Sequence, residues 1–107
     1  MTDQLGPFQA IWEAWDDAHD EIVLKPLSHF RRAVEIQFDE LDEHLRVGDR
    51  DAASREVMDI ISVALNLMRR LGYRSEEVSD IARSRAERRM KGQVLGILEK
   101  YQQIYGI

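Results

Sequence analysis

Residues 38–71, FDELDEHLRVGDRDAASREVMDIISVALNLMRRL, predict two helices joined by a tight turn at residues 47–49. Gly48 is expected to end the first helix, and Asp49 or Asp51 to cap the second. Because the connection is so short, the two helices have to run antiparallel. The stretch therefore predicts an antiparallel helix pair at the centre of an all-α fold.

Each helix of this pair carries two acidic residues three positions apart, Glu40 with Glu43 and Glu56 with Asp59. Residues three apart lie on one face of a helix. At ~1.5 Å rise per residue, Glu43 and Glu40 lie roughly 7 and 12 Å before the turn. Glu56 and Asp59 lie roughly 9 and 14 Å beyond it by the same count. We therefore expect the four carboxylates to converge at one height.

The second helix of the pair is apolar nearly all round, which predicts a buried helix. Its polar positions Glu56, Asp59, Ser62 and Asn66 fall within roughly one third of the circumference. A buried ionised carboxylate is costly unless a cation meets it. Gathered carboxylates also repel, so either some stay protonated or a metal compensates them. All-oxygen ligands suit a hard divalent ion such as Mg²⁺.

These acids carry a resemblance to a known family. The run Asp39-Glu40-Leu41-Asp42-Glu43, then twelve residues, then Glu56-Val57-Met58-Asp59, resembles the ExxE…ExxD signature of the MazG-like, all-α nucleoside triphosphate pyrophosphohydrolases. The resemblance covers roughly residues 27–92. It implies Mg²⁺, or alternatively Mn²⁺, held by four ligands: Glu40, Glu43, Glu56 and Asp59.

The resemblance also implies a reaction. Attack between the α and β phosphates of a nucleoside triphosphate would give a nucleoside monophosphate and pyrophosphate, in the housekeeping of the nucleotide pool. Asp39, or one of the four acids such as Glu43, is expected to act as general base for the attacking water. The sequence contains no P-loop and no nucleophile elbow, so covalent catalysis is not expected.

Basic residues in the last part of the chain are candidates for phosphate contact. A long final helix is expected from about Glu76 to Gln102, with five Arg or Lys residues between positions 83 and 91. Arg offers a planar fork for phosphate oxygens, and Lys a point charge. The alternative is a solvated face that pairs with the chain's own carboxylates. By position, the candidates are Arg85, Arg88 and Lys91; the Asn that the resembled family often carries there is missing.

Three further residues are candidates for nucleoside contact. Trp12 and Trp15 could stack on a base, because a flat indole stacks well on aromatic rings. The alternative is that both simply pack against the helical bundle. Asn66, on the polar side of the second helix, could contact sugar or base, or make a buried hydrogen bond within the bundle.

The first helix of the pair, about residues 27–47, has apolar residues on two opposite sides. One stripe consists of Phe30, Val34, Phe38, Leu41 and Leu45, and the acid face on the other side is flanked by Ile36 and Val47. Packing against the rest of its own chain can cover only one of these two sides. We therefore expect a four-helix-type bundle that is completed by oligomerisation, as a homodimer or a homotetramer.

Length and composition limit the other possibilities. The 107 residues are expected to form one domain, 1–107. The absence of Cys favours a reducing, cytoplasmic location. No signal peptide is visible, and no apolar run approaches the ~20 residues that span a bilayer, so no membrane partner is expected. The net charge of −5 argues against nucleic-acid binding over the whole chain.

A second hypothesis is a non-catalytic helical interaction module. In that case the acid pairs would form salt bridges with Arg31, Arg32, Arg55 or the arginines of the last helix. The second stripe of the helix at about residues 27–47, which includes Ile36 and Val47, would bind a partner.

Overall fold

A computed structural model of the chain describes residues 4–107, and every regular element in this range is helical. Residues 1–3, which the single-domain prediction includes, lie outside the described residues. The helices in chain order are α1 (Gln9–Ala14), α2 (His19–Ile22), α3 (Leu27–Arg46), α4 (Arg50–Arg70), α5 (Ser75–Arg85) and α6 (Val94–Tyr105). Short 3₁₀ turns at Gly6–Phe8 and Asp16–Ala18 and a π-helical turn at Ala86–Met90 accompany them. The all-α prediction is confirmed.

The helices α3 and α4 pack against each other along their lengths and form a hairpin. Gly48 follows the end of α3 with φ +77°, a left-handed conformation that glycine adopts without a Cβ clash. The Asp49 carboxylate accepts a hydrogen bond from the backbone N–H of Ala52 at 3.0 Å. This bond satisfies one of the free N–H groups at the start of α4. The turn, the cap and the antiparallel pair lie where the sequence predicts them.

The N-terminal segment, residues 5–23, lies against α4 and is anchored there by one arginine. Arg69 is only 2% exposed. Its guanidinium donates to the backbone carbonyl of Trp12 at 2.6 Å and to the Asp16 carboxylate at 2.9 Å. It also lies over the Trp12 indole, 4.2 Å from the ring centroid. Because a buried guanidinium needs such partners, these contacts fix where the segment sits on α4.

The prediction of one long final helix, residues 76–102, is wrong. The structure has α5, then the π-helical turn, and then a break at Gly92 before α6 begins at Val94. Lys91 (φ −58°, ψ 119°) and Gly92 (φ +76°) have the central conformations of a type II turn, in which the Gln93 N–H donates to the Met90 carbonyl at 2.8 Å. The third position of this turn requires a positive φ, which glycine adopts without strain, so the chain changes direction there. Consequently the basic residues and the apolar residues beyond them lie on separate elements.

Much apolar surface stays exposed in the single chain. The prediction that α4 is a buried helix is wrong for the single chain, because Val57 and Met58 are 42% and 43% exposed. The other elements cover only part of the α4 circumference. Helix α6 contains no buried residue and packs against none of the other helices along its length. The radius of gyration, 15.8 Å, exceeds the roughly 13 Å expected of a compact domain of this length.

Within residues 4–107, no helix is both long enough and apolar enough to cross a bilayer.

Candidate carboxylate site and the adjoining cavity

Two of the four predicted acids meet between the long helices. Glu40 on α3 and Glu56 on α4 approach each other across the hairpin. Hydrogen bonding of protonated Glu40 to the Glu56 side chain, and then charge repulsion between the two groups, raises the pKa of Glu40 above its ordinary value of 4.5. A proton is therefore held between the carboxyl groups more readily than on an isolated glutamate. The expected convergence across the hairpin holds for this pair.

Glu56 is the more enclosed member of the pair. Its side chain is 13% exposed, and its Oε1 lies 3.6 Å from Nε2 of His44. Its second oxygen, Oε2, is buried without a hydrogen-bond partner among the described residues. A buried carboxylate oxygen without a partner is costly. This oxygen is the strongest sign in the structure of a group that a cation would stabilise.

The other two acids do not join this pair. Glu43 forms an ion pair with Arg46 three residues further along α3, a spacing that favours a local contact on a helix. Asp59 is exposed and lines a neighbouring cavity. Among residues 4–107, no group of three or more His, Asp or Glu side chains is positioned to hold a metal ion. The predicted four-carboxylate cluster is therefore not assembled in this conformation.

A cavity of about 350 Å³ lies one helical turn from the carboxylate pair. Gln37 precedes Glu40 by three residues and Asp59 follows Glu56 by three, and both line the cavity. The lining is part apolar and part polar: Trp15, Ile22, His29, Phe30, Ala33, Gln37, Asp59, Ser62, Val63 and Asn66. The Trp15 indole N–H donates to Ser62 Oγ at 3.2 Å, which joins the N-terminal segment to α4 at the cavity wall.

Of the three nucleoside candidates, two meet at this cavity. Trp15 and Asn66 both line it, and Asn66 is buried. Trp12 does not, because it is buried with the Arg69 guanidinium over its indole. That indole face is occupied and cannot stack on a base.

The sequence did not single out two other cavity residues, Gln37 and His29. Gln37 Oε1 is buried and has no hydrogen-bond partner among the described residues. Its position three residues before Glu40, on the same side of α3, was the signal that could have identified it.

The phosphate candidates lie apart from the acids. Arg85 ends α5, Arg88 lies in the π-helical turn and Lys91 follows it, and all three are exposed. In the described part of the chain none of them forms an ion pair with a carboxylate of α3 or α4. Asp39, the candidate general base, is exposed on α3 and likewise forms no ion pair among the described residues.

Comparison of the chain with protein-family models, with curated proteins and with solved structures returned no match.

Proposed function

We propose that the chain is a Mg²⁺-dependent hydrolase that cleaves nucleoside triphosphates to nucleoside monophosphates and pyrophosphate. The observation that supports this most directly is the Glu40–Glu56 carboxyl pair, one helical turn from a half-polar cavity that contains Trp15 and Asn66. A triphosphate placed with its base in the cavity would direct its phosphates toward these acids. The role would be the removal of surplus or non-standard nucleotides in the cytoplasm.

The residues present suit a divalent cation. Glu56 Oε2 has no hydrogen-bond partner among residues 4–107, and the neighbouring Glu56 carboxyl group raises the pKa of Glu40 despite the nearby His44. A divalent cation would stabilise both the Glu56 oxygen and the Glu40–Glu56 carboxyl pair, and oxygen ligands favour Mg²⁺ or Mn²⁺. Glu43 and Asp59 lie one turn away on each helix and would complete the set, Glu43 by leaving Arg46. Bound Mg²⁺ would neutralise phosphate charge and lower the pKa of a coordinated water.

The chain's own residues would then bind and orient the substrate. The Trp15 indole offers a stacking surface for a base, and the Asn66 amide offers both a donor and an acceptor. Asp39 or Glu43 would accept the proton of the attacking water. Arg85, Arg88 and Lys91 remain the candidates for phosphate contact, and they would have to reach the acids from another subunit of a homodimer or homotetramer.

The test is pyrophosphate release from a panel of ribo- and deoxyribonucleoside triphosphates, with and without Mg²⁺. Wild type should release pyrophosphate only with Mg²⁺, and Glu56→Gln should lose this activity because it removes a carboxylate ligand. Asp20→Asn, which removes an exposed carboxylate on α2, is the charge-matched control and should keep full activity. Absence of turnover with every triphosphate, or equal activity of Glu56→Gln, would refute the proposal.

A second candidate is the non-catalytic interaction module, which the exposed apolar surface of α6 favours. Its predicted salt bridges are not seen in the described residues: Arg32 pairs with Glu35, and neither Arg31 nor Arg55 pairs with an acid. Full Mg²⁺-independent folding together with no catalytic turnover would favour this candidate over the enzyme.

A further inference from the structure

Two apolar surfaces stay exposed in the described chain. One is the side of a helix, and the other is a groove about the size of one helix side. The first is one side of α6, which we call the arm stripe and define as Val94, Leu98, Tyr101, Ile104 and Tyr105. At 100° per residue these positions fall within roughly one third of the helix circumference. All five are exposed, Leu98 and Tyr105 each to 64%. The arm stripe is therefore an amphipathic helix face that no other part of residues 4–107 covers.

The second surface is a groove on the hairpin that shares Phe30 and Val63 with the wall of the cavity. Its lining is Leu27, Phe30, Arg31, Val34, Glu35, Val63, Ala64 and Leu67, around a volume of about 510 Å³. We call it the hairpin groove. Phe38 lies one turn beyond Val34 on α3, and Leu71 one turn beyond Leu67, and both are exposed. The groove is thus extended at both ends by further apolar surface.

We propose that the arm stripe of one copy of this chain occupies the hairpin groove of a second copy, and that the contact is reciprocal in a two-fold symmetric dimer. Reciprocal exchange covers both surfaces with one operation, because a two-fold interface pairs each patch with its counterpart on the partner. Helix α6 does not pack along α3 or α4 of its own chain, so its apolar side is available for this contact.

The areas suit a stable dimer. The exposed fractions of the five arm-stripe residues amount to roughly 600 Å² of surface, and a groove of similar area would be covered opposite it. Two such contacts would bury up to about 2,400 Å², counting both copies, which exceeds the ~1,200–2,000 Å² of standard-size stable interfaces.

The charges favour a second copy of this acidic chain over a lipid surface. Residues 83–91, directly before α6, carry five positive charges against one negative charge from Glu87. In the partner they would lie near Asp42, an exposed carboxylate between Phe38 and Leu45 on the α3 surface, and near Glu35 in the groove lining, which in the single chain pairs with Arg32. By contrast, the polar side of α6 carries one acid, Glu99, and one base, Lys100. Interfacial membrane helices are rich in Lys and Arg on that side.

Cross-linking between separately purified variants tests the contact, since the chain has no native cysteine. Ala64→Cys places a thiol in the hairpin groove, and Leu98→Cys places one on the arm stripe. Mixed with a short bis-maleimide, these two variants should give the hetero-linked dimer as the main product. The matched control Gln103→Cys, on the opposite side of α6, should not link to Ala64→Cys. Linkage of Ala64→Cys to itself would mean that two grooves face each other, and would overturn the proposal.

Light scattering of the uncross-linked protein gives the second measurement. Wild type should have a mass of about 25 kDa, twice the 12.5 kDa chain. Leu98→Glu should shift the mass to 12.5 kDa with unchanged helical circular dichroism, because α6 contributes no residue to the core. Gln103→Glu should remain a dimer. A monomeric wild type, including one that sediments with phosphatidylserine vesicles, would overturn the proposal.

Discussion

Replacing Arg69 with methionine should strongly weaken the attachment of the N-terminal segment. Arg69 is the buried contact between that segment and α4, with hydrogen bonds to Trp12 and Asp16. Methionine keeps an apolar side chain of similar length, so most of the packing volume is retained. The change therefore removes the charge and its hydrogen bonds and leaves the Trp12 carbonyl without its donor.

The magnitude follows from these contacts. Hydrogen bonds that involve a charged group contribute about 1.5–3 kcal/mol each, and a desolvated cation–π contact contributes about 2 kcal/mol. Part of this sum is offset, because the variant no longer has to desolvate a guanidinium on folding. The ion pair itself contributes little, because Asp16 is 57% exposed and water can solvate its carboxylate in the variant. We expect the free energy of unfolding to fall by about 3 kcal/mol, mainly from the lost hydrogen bond to the Trp12 carbonyl and the lost cation–π contact.

Urea titration followed by two probes measures the effect. Both tryptophans of the chain, Trp12 and Trp15, lie in the N-terminal segment, so fluorescence reports the segment and circular dichroism reports all helices. Arg55→Met removes an exposed arginine of α4 and should change stability by less than about 0.5 kcal/mol. If Arg69→Met matched Arg55→Met, the anchoring role of Arg69 would be refuted.

Three further predictions concern the site and the hairpin. Because the pKa of Glu40 is raised, its contribution to stability is present below pH 4.5 and is lost as pH rises through the raised value. Glu40→Gln should therefore gain stability relative to wild type between pH 4.5 and neutral pH in urea titrations; a difference that stays constant with pH would contradict this. Asp49→Ala should lose about 1 kcal/mol with the α4 cap, and an unchanged urea midpoint would contradict that. Trp15→Ala should weaken the binding of a non-hydrolysable nucleoside triphosphate by about 1–3 kcal/mol in calorimetry, the contribution of base–aromatic stacking; unchanged affinity would remove the cavity from the nucleoside site.

The hairpin could be predicted because its signals are local. Gly48 and Asp49 mark the turn and the cap by their own chemistry, and the rise per residue places Glu40 opposite Glu56. The break at Gly92 could not be predicted with the same certainty. A glycine within a helical pattern is tolerated, and only the observed left-handed conformation shows that the helix stops.

Side-chain partners were the least predictable part. Trp12 and Trp15 share a helical side in the sequence, yet α1 ends at Ala14, so Trp15 lies beyond the helix. Trp12 lies under Arg69 and Trp15 lies at the cavity. From the sequence alone, Arg69 is expected only to interact favourably with the dipole at the C-terminus of α4. Its burial depends on a segment some 50 residues earlier in the chain, which no local pattern reveals.

The central claim is that the Glu40–Glu56 pair binds a divalent ion together with a triphosphate. Mn²⁺ titration followed by electron paramagnetic resonance, in the presence of a non-hydrolysable nucleoside triphosphate, tests it directly. The expected result is that wild type and Asp20→Asn remove Mn²⁺ signal beyond what the nucleotide alone removes, and that Glu56→Gln does not. Identical titrations for wild type and Glu56→Gln would contradict the claim.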